Sequence, residues 1–425
     1  MSDINLIEDK IKTLTELYKN GNFKDLVNES KDFLDNVNKN SAQIWNFYAL
    51  GHKALGNYEH AKEIYKNLIK NNPDNVLLLS NLANVYGGLG QIDKQIKIYS
   101  EVLEKDNSMV EIYNNLGLAY TANNDFNNAI KAFGKLLNEN PKHSHANYNL
   151  GNVYRKIGQH KLAIKYLSLT DISLAKSHKI EILYQHASKE EFDEFYSLLM
   201  DQEHIDPLFG SVVSHANLRF DDNYNNPFCS DSLSCIYKNQ VIDVNDDKKL
   251  VNEVLDYVFS QKSDFIPQDL LINGKETYGN IFNNKEVVAF QKIKKIIYKE
   301  IEKYRTYYNK SNEIFLRKFP KNFEIIGWMI SMDKGGSLKA HIHKEGWVSG
   351  SLYFKLPEKR NGNSGNIAFS QHGEHYPNID NYRTEILNLN EGDICMFPSS
   401  LFHYTIPYQS DEKRVCLAFD LKPIN

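Results

Sequence analysis

Small and large apolar positions along the first 170 residues repeat every 34 residues. Gly56, Gly90, Asn124 and Gly158 fall in one column, and all four tolerate positive φ, which marks a helix-to-helix turn. Five positions on stand Ala61, Gln95, Ala129 and Ala163, and four beyond them Tyr65, Tyr99, Phe133 and Leu167. Upstream, Tyr48, Leu82, Leu116 and Leu150 precede Ala49, Ala83, Gly117 and Gly151, and three residues later come His52, Tyr86, Tyr120 and Tyr154. Pro73, Asn107 and Pro141 close the unit. This alternation predicts antiparallel helix pairs in which small residues let the backbones approach while a large side chain fills the gap beside them. One pair cannot bury its apolar face alone, so the pairs must stack.

The columns resemble the tetratricopeptide repeat, with Trp45 at the leading aromatic position of the first clear unit. Four units span residues 41–167, with Gln95 and Asn107 as the main departures. Residues 8–40 read as a degenerate fifth unit acting as a cap, with Gly21 and Asn22 where the turn belongs. The resemblance implies a concave surface that binds a peptide or protein ligand. A plainer reading has the repeats only form a homodimer or brace a second domain.

From residue 171 to 220 the columns fail, yet Ile182, Leu183, Phe192, Phe195, Leu198 and Leu199 recur at helical spacing, which predicts a helical adaptor. Asn-Asn-Pro at 225–227 breaks it. Two amphipathic helices follow, one carrying Leu250, Val251, Val254, Leu255 and Val258, the other Phe290, Ile293, Ile297, Ile301 and Tyr304. Between them Asn273-Gly274 reads as a hairpin-like turn, while His204, His215 and the lysine face of residues 292–299 read as surface features. After Lys321 the period changes to two, predicting strands at 324–332, 338–343, 350–356, 366–369, 385–389, 393–397, 402–407 and 414–421. The fold class expected is multidomain α + β. A TPR-like α-solenoid (residues 1–170) and an adaptor (171–225) precede a double-stranded β-helix, or jelly roll, with buttressing helices (226–425).

Side chains at i and i+2 on a strand share a face, so His341, His343 and Glu345 can all point inward while Ile342 packs outward. Farther on, Leu401, His403 and Thr405 share a face, and Arg414 lies with Cys416 and Ala418 opposite Val415, Leu417 and Phe419. This order of a histidine-rich wall, a distant histidine and an inward arginine resembles the iron(II)- and 2-oxoglutarate-dependent oxygenases. It is closest to a subgroup that reads H-x-H and then Trp-X-Ser-Gly. The matching residues are His341, His343, Trp347, Ser349 and Gly350, then Gly392 to Ser399, His403 and Arg414, within a resemblance over residues 229–423.

The resemblance implies a hydroxylase using Fe(II), 2-oxoglutarate and O2. His403 would hold the metal with two of His341, His343 and Glu345. The subgroup favours the three-histidine set, whereas Glu345 in place of His341 or His343 would restore a carboxylate. Arg414 would take the C5 carboxylate of 2-oxoglutarate, with Thr405, Ser351 or Tyr353 adding a hydrogen bond. Trp347 is expected at the pocket mouth, Cys395 and Cys416 in the core, and His372 and His375 in a polar loop at 371–381.

Composition narrows the setting. Lys and Arg total 50 against 54 Asp and Glu, a net charge of -4 with the signs interspersed, so nothing asks for nucleic acid. Neither a secretory signal nor an apolar run long enough to span a membrane is found, and four scattered cysteines fit a reducing, cytoplasmic location. The expected function is hydroxylation of a peptide or protein captured by the repeats. The alternatives are a three-histidine cupin-type metalloenzyme that uses no oxoglutarate, or a non-catalytic interaction protein whose barrel is a sensing or degenerate module.

Overall fold

The computed structural model describes residues 3–260, 265–266, 268–277, 279–284, 287–358 and 362–424. The chain divides into two compact units, residues 1–175 and 176–425. Among the described residues no helix is long and apolar enough to cross a membrane.

The first unit holds α1 (Asp3–Lys19), α2 (Phe23–Asn36), α3 (Ala42–Ala54), α4 (Tyr58–Asn71), α5 (Val76–Gly88), α6 (Ile92–Lys105), α7 (Ile112–Ala122), α8 (Phe126–Glu139), α9 (Ser144–Lys156) and α10 (His160–Leu167). The turn column adopts the left-handed region its residue types allow, with φ of 80° at Gly56, 69° at Gly90, 56° at Asn124 and 74° at Gly158. Small residues set the helix approach: a Cβ on Gly117 would lie 2.6 Å from the Phe133 ring, and one on Gly151 2.8 Å from Leu167. The departure at Gln95 is matched across the pair, because its amide fills the space a Cβ on Gly87 would need. Ala61, Ala129, Ala163, Tyr65, Tyr99, Phe133 and Leu167 are all buried.

The second unit takes in most of α11 (Ser173–His186), with α12 (Lys189–Asp201), α13 (Pro207–Phe220), α14 (Lys248–Phe259), α15 (Val288–Tyr307) and short α16 (Ile314–Arg317). Its strands are β1 (Tyr237–Gln240), β2 (Phe265–Ile266), β3 (Leu271–Thr277), β4 (Phe323–His341), β5 (Val348–Lys355), β6 (Ile367–Ser370), β7 (Thr384–Leu387), β8 (Asp393–Pro398), β9 (Phe402–Thr405) and β10 (Arg414–Pro423). They form one antiparallel sheet in the order β1-β8-β5-β10-β4-β9-β6-β7, with β3 also on β4 and β2 on β3.

Two strands expected at 324–332 and 338–343 are the single strand β4. Its first half pairs with β10 and its end, with a register break between Leu338 and His341, pairs with β9, so the sheet curls upon itself along this strand. Asn273-Gly274 closes no hairpin; it lies within β3 at an irregularity in the pairing with β4. One sheet face, with Val415, Leu417, Phe419, Met329 and Leu352, packs on Val254, Phe290, Ile293 and Ile297 of α14 and α15. The other carries Cys416, Ala418, Ile330, Met332, Tyr353 and Phe397, and lines the inside of the curl.

Candidate metal centre

Inside the curl lies a cavity of about 420 Å³, lined among others by His341, His343, His403, Arg414, Thr405, Tyr353 and Ser351. His341 ends β4 and is the register partner of His403 on β9, which brings the two rings to 4.3 Å between centroids, tilted by 48°. His343 lies beyond the strand, in the turn towards β5, where its backbone N–H donates to the Ser399 carbonyl at 3.1 Å. Gly346 lets that turn close, since a Cβ there would sit 2.7 Å from Ser399 Oγ and 3.1 Å from the Asp420 carboxylate. Alternation lapses here, and Ile342, expected on the outer face, is buried and lines the cavity too.

The three imidazoles each turn one nitrogen to an acceptor. Nδ1 of His341 meets the Lys339 carbonyl at 2.8 Å, Nδ1 of His403 the Leu401 carbonyl at 3.2 Å, and Nδ1 of His343 the Asp420 carboxylate at 2.5 Å. Those acceptors place the proton on Nδ1 and leave Nε2 of each ring as a lone pair. The Nε2 atoms of His341 and His343 are 3.1 Å apart, and one nitrogen from each of the three rings lies within 4.8 Å of the others. Converging lone pairs repel one another unless a cation lies among them, so the donor set fits a metal that accepts neutral imidazole. Burial, reinforced by the neighbouring rings, lowers His341 to about 4 and holds His403 well below its ordinary range, which keeps both neutral.

Glu345 does not join them: it is exposed at the rim and paired with Lys422. The carboxylate that touches the cluster is Asp420, held in turn by Ser349 Oγ at 2.7 Å. Sequence reasoning missed it, although extending the Arg414, Cys416, Ala418 parity by one step reaches it. Trp328 stacks on His343 with centroids 5.7 Å apart, and Phe397 lies 4.6 Å from His403.

Arg414 is 2% exposed, donating from Nε to the Gly365 carbonyl at 2.9 Å and from Nη1 to Cys416 Sγ at 3.3 Å. Among the described residues no carboxylate lies within ion-pair distance of it. Tyr353 differs from expectation: the guanidinium lies 5.0 Å from its ring, and its hydroxyl reaches Cys395 Sγ instead. Thr405 and Ser351 line the same space.

Other expectations need correcting. Trp347 is not at the cavity mouth; it packs on Phe228 and donates from Nε1 to the Phe315 carbonyl at 2.7 Å. His204 and His215 are buried rather than on the surface. His204 meets Ser177 Oγ at 2.7 Å, and His215 meets Tyr184 and, at 2.8 Å, His372 of the 371–381 loop.

Comparison with known proteins agrees with both halves. Residues 327–420 match the family described as "Putative 2OG-Fe(II) oxygenase". Residues 8–154 match the N-terminal TPR region of Psidin, and 144–169 a tetratricopeptide repeat. The chain carries N-terminal tetratricopeptide repeats and a C-terminal domain of the "Putative 2OG-Fe(II) oxygenase" family.

Among solved structures, this chain is similar to MamA at 20% identity, covering 43% of this chain and 97% of that one with a TM-score of 0.35. It is also similar to PilF of Pseudomonas aeruginosa at 15% identity, covering 48% and 94%, TM-score 0.41. A tetratricopeptide repeat protein of Parabacteroides merdae matches at 14% identity, covering 50% and 86%, TM-score 0.41. No curated protein matches the chain.

Proposed function

We propose that residues 226–425 form an iron(II)- and 2-oxoglutarate-dependent hydroxylase on a double-stranded β-helix, acting on a peptide or protein recruited by the repeats of residues 1–170. The observation that carries this reading is one cavity holding three convergent imidazole nitrogens and a buried guanidinium with no carboxylate partner among the described residues. In this reading His341, His343 and His403 hold the metal, and Asp420 keeps the proton of His343 on Nδ1. Iron(II) held there would supply the O2-dependent oxidative decarboxylation of 2-oxoglutarate to succinate and CO2, one oxygen atom entering succinate and the other a substrate C–H bond.

Arg414 takes the C5 carboxylate of 2-oxoglutarate, its fork oriented by Gly365 and its charge faced by the Tyr353 ring. Thr405 and Ser351 offer hydroxyls on the same wall. Phe369, Phe397 and Trp328 make an apolar surround that excludes water from the reacting centre. The recruiting role of the repeats rests on their fusion to this domain and on the general use of such arrays in protein–protein interaction.

The test is succinate formation by the full chain supplied with Fe(II), 2-oxoglutarate and air. Arg414→Ala should lower kcat/KM for 2-oxoglutarate by about 100-fold, the ~3 kcal/mol expected for breaking a buried charge pair. Succinate formation that persists unchanged in that variant would overturn the assignment.

A further inference from the structure

The charged side chains lining the cavity are Glu276, Lys344, Glu345, Arg414, Asp420 and Lys422, besides the three histidines. Most are neutralised within the protein. Lys344 pairs with Glu181 at 3.3 Å and Glu345 with Lys422, while the Asp420 carboxylate accepts from His343 Nδ1 and Ser349 Oγ. Two charges of opposite sign remain with neither an ion pair nor such an assignment among the described residues: Arg414 and Glu276. The first answers the oxoacid in the reading above. The second is unexplained by it, and Glu276 is not among the atoms of the histidine cluster.

Glu276 stands on β3 directly opposite Ile330 of β4. It therefore shares the cavity face with Ile326, Trp328, Ile330 and Met332, which line one wall at every second position. The arrangement is a carboxylate set in an apolar and aromatic wall. Burial raises its carboxyl above the ordinary range. The wall suits an aliphatic stem, and Glu276 its charged tip.

We propose that Glu276 is the substrate-specificity residue of this site, and that it takes a lysine or arginine side chain of the peptide substrate with its stem along Trp328 and Ile330. This rests on the hydroxylase reading for the meaning of "substrate", but the binding it asserts can be measured apart from it. The probes are acetyl-Gly-Lys-Gly-amide and its norleucine counterpart, titrated calorimetrically into the anaerobic full chain loaded with Fe(II) and 2-oxoglutarate.

The lysine peptide should bind at least about tenfold more tightly than the norleucine peptide, the scale of a partly desolvated charge pair. Glu276→Gln should abolish the preference and Glu276→Asp should restore most of it. Absence of a preference in the wild type, including failure of both peptides to bind, overturns the proposal, as does a preference that survives Glu276→Gln. The iron-to-ketoacid charge-transfer band, read on the same samples, separates the two claims. A preference without the band leaves Glu276 standing and removes the oxygenase reading; the band without a preference does the reverse.

Discussion

Nδ1 of His343 and Oδ1 of Asp420 lie 2.5 Å apart, joining a turn residue to a strand residue 77 positions away. His343 stands beyond the end of β4, so no ladder fixes its ring. Asp420, anchored by Ser349, does so and selects the tautomer that leaves Nε2 free for a metal.

Asp420→Ala should therefore weaken Fe(II) binding by about 10–100-fold, as loss of an orienting partner does elsewhere. Asp420→Asn should weaken it less, because an amide oxygen still accepts from Nδ1. Competition against a calibrated chelator measures both; an unchanged affinity in the alanine variant contradicts the orienting role.

Glu345→Gln should leave Fe(II) affinity within about twofold of wild type, since an exposed pair such as Glu345 with Lys422 contributes roughly 0–1 kcal/mol and does not reach the cluster. A large loss in the same competition assay would restore the carboxylate-containing ligand set.

What the sequence disclosed follows from where its periodicities hold. The 34-residue columns placed the left-handed turns and the contact of Gly117 with Phe133, because each repeat meets its neighbours in the same way. On β10 the alternation of Arg414, Cys416 and Ala418 against Val415, Leu417 and Phe419 holds because the strand is paired on both sides for most of its length. Parity arguments failed where β4 stops. They put Glu345 on the inner wall, whereas the turn after His341 sends it outward and brings His343 back to Asp420. The 343–420 contact, the burial of His215 against Tyr184 and His372, and the place of Trp347 under Phe228 are long-range pairings with no local signature.

In the repeat unit, Phe133→Ala should destabilise by about 3–5 kcal/mol, because a fully buried ring packed on Gly117 leaves a cavity the rigid helix pair cannot close. Urea unfolding followed by circular dichroism checks this. A loss under about 1 kcal/mol would mean that the small-over-large packing contributes little there.

Acid should loosen the second unit through His215, which burial, with His372, Arg219 and His375 adding to it, lowers from 6.5 to about 3. The folded form then binds fewer protons than the unfolded chain. Its stability contribution is complete above pH 6.5 and is lost as pH falls towards 3, at up to about 1.4 kcal/mol per pH unit. Melting temperature followed from pH 7 to 4 should fall less steeply in His215→Gln than in wild type, whatever the offset between the two curves; parallel slopes would rule out this origin.

The most direct measurement of the central claim is the visible spectrum of the full chain under anaerobic conditions, with Fe(II) and 2-oxoglutarate added in turn. The iron-to-ketoacid charge-transfer band should appear in the wild type only when both are present, and should be missing in His403→Ala. A wild type that shows no band, or a His403→Ala variant that keeps it, contradicts the site built from His341, His343, His403 and Arg414.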